Sequence, residues 1–178
     1  GLAFAIFISS ALFSLARTAA QNASKSAILL AILALLAAAI LGMMLTQGYA
    51  SGVALNPPKF AIAHVSLALG GWVMLLIVGV SYQVVPMFQL TPNYPKWLTF
   101  SLAPTLFALL LFNLALLMLD NAPRWAELIA ENLFWTFALF FAAATLMLQK
   151  KRRRRIPDAT LIFYRLAMVS LLFVPMLA

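Results

Sequence analysis

The chain has 178 residues, of which 65% are hydrophobic and only 9% charged, and it carries a formal charge of +8. Soluble domains run at about 45–50% apolar and about 25% charged residues, so this composition excludes an ordinary water-soluble globule and requires lipid as solvent. The absence of cysteine excludes disulfides, thiolate metal ligands, iron–sulfur clusters and covalent c-type haem attachment within the chain.

A helix needs about 20 apolar residues to cross a bilayer, and by that rule the sequence divides into about six spans. They are predicted over Gly1–Ala16, Ala27–Leu45, Phe60–Phe88, Leu98–Leu119, Leu128–Gln149, and from Ala159 to the end. The expected fold is therefore all-α: one multi-pass transmembrane helical bundle over residues 1–178. The first residue is Gly1 and the last residues lie in an apolar run, so a fragment of a longer chain is expected. Continuous apolar runs argue against a membrane barrel, whose strands alternate over about ten residues.

Turn chemistry separates the spans. Thr46–Lys59 is rich in Gly, Ser, Asn and Pro; Gln89–Trp97 has two prolines that stop the preceding helix; Asp120–Trp125 is a short turn in which Asp120 or Asn121 suits a cap. Six of the twelve basic residues form one run, Lys150, Lys151, Arg152, Arg153, Arg154 and Arg155. Between apolar spans such a run marks a cytoplasmic loop and a contact for anionic lipid headgroups, not a nucleic-acid surface. Counting spans from it puts Arg17–Lys25 and Gln89–Trp97 on the same side, and Thr46–Lys59 and Asp120–Ala126 outside. Trp97 and Trp125 fall where an aromatic belt belongs.

His64 is the single histidine and opens the third span, about one helical turn inside its outer end. At helical spacing it shares a face with Ala68, Gly71, Leu75, Gly79 and Tyr82. A face of small residues admits a second helix or a flat macrocycle. The imidazole thus suits an axial haem ligand, a copper ligand, or a hydrogen bond to a neighbouring helix. Met43 or Met44, at similar height, is a conceivable second axial ligand. Gln83, Asn113, Glu131, Asn132 and Arg165 are further polar groups at membrane depth, and Arg165 could pair with Asp158 or snorkel to the basic side. No Ser–His–Asp arrangement, H-E-x-x-H pattern, phosphate loop or G-x-G-x-x-G is present, which leaves little basis for catalysis by this chain alone.

The segment from His64 to Phe88 resembles membrane proteins related to haem–copper oxidase subunit I, and within them the NnrS-like group of multi-pass bacterial proteins. His64, Gly71, Trp72, Gly79, Tyr82, Pro86 and Phe88 carry the resemblance, with the "RRRRIPDATLIFYRLAM" stretch downstream. It implies a helical bundle that binds haem or copper, with His64 as axial ligand and Gly71 beside the macrocycle, and an accessory role in redox chemistry, nitric-oxide handling or oxidase biogenesis. The sequence departs from the pattern where an "H-A-H-E" start is replaced by "AHVS" and where the oxidases' further histidines are missing, so an oxygen-reducing centre is excluded within this chain. The other expectation is a cofactor-free transport module, or a subunit of a homo-oligomer or larger membrane complex. In that case the small face of the third span meets protein helices and His64 bonds a neighbour.

Overall fold

A computed structural model describes residues 2–18, 22–52, 57–153 and 159–174. Six helices account for nearly all of them: α1 (Leu2–Arg17), α2 (Ala23–Ser51), α3, α4 (Lys96–Met118), α5 (Arg124–Lys150) and α6 (Ala159–Phe173). The third, α3, is one rod made of Pro57–Ser66, a π-helical stretch Leu67–Val73 and Met74–Gln89. Four of the six, α2 to α5, are long and apolar enough to cross a membrane, which gives the chain the build of a multi-pass membrane protein. The outer two are shorter, 16 residues in α1 and 15 in α6. At 1.5 Å per residue they reach about 22–24 Å, less than a hydrocarbon core of about 30 Å. The expectation of six spans therefore has four full-length helices behind it.

Local chemistry sets the boundaries. Asn22 caps α2 by accepting from the Lys25 amide at 2.8 Å, and Gly52 ends it in the left-handed conformation at φ 68°. Leu90 ends α3 in the same conformation at φ 52°, and its carbonyl accepts from the Arg153 amide at 3.0 Å. This bond ties the end of α3 to the segment after α5. Pro86 and Pro104 lie inside α3 and α4, tolerable where neighbouring helices hold the rod.

The core is built around α2 and α3, which pack antiparallel along their length. The contact stripe of α2 is Ala27, Ala31, Ala34, Ala38 and Gly42, a spacing of four, three, four and four residues. Such a run of small residues lets two backbones approach closely, which drives association between helices when lipid removes the hydrophobic effect. Leu98, Leu102 and Leu106 of α4, with Ala138, Phe141 and Ala142 of α5, complete the core. α1 packs on α2 through Ile8, and α6 lies against α5.

Candidate functional site

His64 sits seven residues into α3, two turns from its start, because the helix begins at Pro57 and not at Phe60. Its Nδ1 lies 2.8 Å from the Ala38 carbonyl of α2. A carbonyl only accepts, so the ring donates from Nδ1, and in the neutral tautomer Nε2 keeps its lone pair. The ring covers Gly42: a Cβ built there would stand 3.0 Å from His64 Cε1 and 3.3 Å from Nδ1. Glycine at position 42 is thus the space into which the imidazole packs.

Gly71 lies further along the same face, inside the π-helical stretch. A Cβ there would come within 2.6 Å of the Ala34 Cβ and 3.1 Å of Leu110 Cδ2. At Gly79 the corresponding distance to the Ala27 Cβ is 2.9 Å. Of the two neighbours that a small face admits, α2 is the one seated there. The π turn places Gly71 between α2 and α4 and shifts the later residues around the rod; the Met74 amide reaches back to the carbonyls of Leu69 and Gly71. No gap for a macrocycle remains at Gly71, so the residues of this face do not fit a haem lying on it. Met43 and Met44 turn to the outer surface, away from the seam. Among the described residues no group of three His, Cys, Asp or Glu side chains is gathered that could hold a metal ion.

The polar residues expected at membrane depth are peripheral. Gln83, Glu131, Asn132 and Arg165 are exposed on the bundle surface. Asn113 is half-buried and donates to the Leu109 carbonyl of its own helix at 3.0 Å. Arg154, Arg155 and Asp158 lie outside the described residues, so the basic run is represented by Lys150 to Arg153 and the Arg165–Asp158 pairing falls outside it. Lys150, Lys151 and Arg153 are exposed.

A buried polar cluster that sequence reasoning missed lies at this basic end. Gln89 and Gln149 are 2% and 1% exposed, and all four of their side-chain polar atoms lack a hydrogen-bond partner among the described residues. One turn before Gln149, Thr145 is fully buried and shares a hydrogen bond with the Tyr94 hydroxyl at 2.9 Å. The Tyr94 ring stacks on Phe141 and meets Tyr82 edge-on at 5.4 Å. Deeper in the bundle, Ser81 of α3 is hydrogen-bonded to Tyr164 of α6. Burial pushes the Tyr94 hydroxyl well above its ordinary pKa, against the opposing effect of the Thr145 hydrogen bond, so it stays a neutral donor. The signal was available: Val78, Tyr82, Val85 and Gln89 continue one helical face, as do Ala138, Phe141, Thr145 and Gln149. Glutamine near a span end reads as interfacial unless that phase is followed to the last turn.

A recess opens on the other half of the molecule, between α3, α4 and α5. It has a volume of about 570 Å³ and is walled by Leu69 and Gly70, Asn113, Phe134 and Trp135. Arg124, Glu127 and Glu131 line one end. His64 takes no part in it, because the residues of α3 that do are Ile62, Val65, Ser66, Leu69 and Gly70.

No protein-family model, no curated protein and no solved structure matches this chain. The likeness of His64–Phe88 to the NnrS-like group accordingly rests on those residues alone.

Proposed function

We propose that this chain is a cofactor-free, multi-pass membrane bundle that works through its helix faces, as a transport module or as a subunit of a larger membrane assembly. The observation that carries this reading is the use made of His64. Its ring is packed on Gly42 and bonded to the Ala38 carbonyl, so the single histidine of the chain serves to hold α3 on α2. The bundle crosses a bacterial inner membrane six times, with α1 and α6 as short outer spans and the Lys150–Arg153 segment at the cytoplasmic face against anionic lipid. A reporter fused after Arg155 reads cytoplasmic and one between Tyr49 and Gly52 reads external; the reverse pattern overturns this orientation.

One feature of His64 favours the haem reading that the NnrS-like resemblance implies. Metal-ligating histidines commonly give their second ring N–H to a backbone carbonyl, as His64 does. Absorption spectra of protein purified after expression with added haem, oxidised and then dithionite-reduced, separate the two readings. The packing role predicts no Soret band. A Soret band that disappears in His64→Ala assigns the histidine to iron and overturns the cofactor-free reading.

A further inference from the structure

We infer that the recess between α3, α4 and α5 is a binding site for an amphiphile with one cationic head and an apolar tail. This rests on the membrane setting proposed above and is independent of what His64 does. The recess has the volume of a small-molecule site, where about 300–1,000 Å³ is usual, and the composition of one: mostly apolar and aromatic walls, interrupted by Ser66 and Asn113, with the charged groups Arg124, Glu127 and Glu131 at one end.

The charge at that end selects the head group. Arg124 and Glu127 neutralise each other through a 2.9 Å ion pair, and Lys59 and Asp120 do the same nearby at 3.0 Å. Glu131 has no hydrogen bond or ion pair among the described residues, so one carboxylate is left over at the recess. It stands seven residues into α5, about 10 Å along the helix from Arg124. A carboxylate at that depth on a membrane helix is costly without a counter-charge, and such residues characteristically mark ligand pathways. A cation entering from the bilayer meets Glu131 at one end and the rings of Trp135 and Phe134 beside it. Both carboxylate and aromatic face attract a quaternary or primary ammonium. The tail then lies along Leu69, Gly70 and Leu110. An anionic amphiphile would place its charge against Glu131, and a neutral one would leave the carboxylate unpaired.

The test is photo-crosslinking in nanodiscs of zwitterionic lipid, with a diazirine-bearing alkyltrimethylammonium as probe and peptide mass spectrometry as readout. Adducts are expected at the recess residues of α3, α4 and α5, removed by excess dodecyltrimethylammonium and not by dodecanol or dodecyl sulfate. Glu131→Gln weakens competition roughly tenfold, as expected for one charge–charge contact in a partly screened site, while Glu131→Asp retains most of it. Glu131 is exposed, so both variants keep the fold, which helical circular dichroism checks. Leu69→Phe narrows the recess without changing charge and lowers labelling as well. Adducts scattered over the lipid-facing surface, competition by dodecanol equal to that by the cation, or indifference to Glu131→Gln each overturns the proposal alone. A chain that does not incorporate into nanodiscs overturns it together with the membrane reading.

Discussion

The two ends of the α2–α3 pair are built on opposite principles. Along the seam from Gly42 to Ala27, the side chains of α2 are reduced to methyl groups or less, and the backbones approach until a single added carbon at Gly71 or Gly79 would overlap α2. At the basic end, large polar side chains occupy the core, and the amides of Gln89 and Gln149 are enclosed without partners among the described residues. The first region derives its stability from many dispersion contacts at close range, the main attraction left to helices in lipid. The second carries buried polar groups whose desolvation the described residues do not compensate. Rigidity is therefore expected at the seam, and hydration or rearrangement at the glutamines.

The largest effect should come from breaking the seam. Gly71→Leu forces a branched side chain into a space where even a Cβ stands 2.6 Å from Ala34. Neither helix can yield without separating, so a loss of about 3 kcal/mol or more is expected. Unfolding in mixed micelles measures it. Gly71→Ala with Ala34→Gly should recover most of the stability, since the pair exchanges which helix supplies the methyl group. A Gly71→Leu variant as stable as the parent would mean that the two helices do not approach as described.

The glutamine end should respond in the opposite direction. Replacing Gln89 and Gln149 together by methionine removes four unpartnered polar atoms at similar volume. A gain of about 1–3 kcal/mol is expected, since this is the usual penalty for leaving such groups unsatisfied. If the double variant is instead less stable, water or a ligand is satisfying those amides, and the polar end is a site in its own right.

These contrasts also show what the sequence could reveal. Four long apolar helices and most of their boundaries follow from hydropathy and from the Gly, Pro and Asn residues between them. The small face of α3 was visible as Gly71 and Gly79 at helical spacing from His64, and so was the choice of neighbours it offered. Which neighbour occupies it depended on α2, where Ala27, Ala31, Ala34 and Ala38 sit in a segment so rich in alanine that no face stands out. The π-helical stretch had no signature beyond Gly70–Gly71. Glu131 was identifiable as polar and at depth, but the recess beside it exists only because Gly70, Asn113 and Phe134 converge from three helices.

Of smaller size is a pH effect confined to the polar end. Burial raises the Tyr94 pKa above the unfolded value of 10.0. The folded state then holds its proton more tightly, so the contribution to stability is complete below pH 10 and declines as the pH rises toward the folded value. The expected slope approaches about 1.4 kcal/mol per pH unit over that window. Tyr94→Phe should flatten it. Denaturation followed from pH 9 to 11 tests this, and an equal slope in parent and variant would place the titration elsewhere.

The smallest effect separates backbone strain from packing where the polar end begins. Leu90 holds φ at 52°, a conformation that costs an L-residue about 1 kcal/mol and glycine almost nothing. It is kept there because the chain must reverse direct from α3 toward α4, and because the Leu90 carbonyl receives the Arg153 amide. Leu90→Gly relieves the strain but also loosens the unfolded chain, two effects of opposite sign. The net expectation is a gain of about 0.5 kcal/mol, small because the half-exposed leucine side chain has little packing to lose. A gain confirms that the turn is fixed by the Arg153 contact and not by the side chain. A loss of more than about 1 kcal/mol, the size of a buried methylene, would show that the leucine itself covers the glutamine pair and keeps water from it.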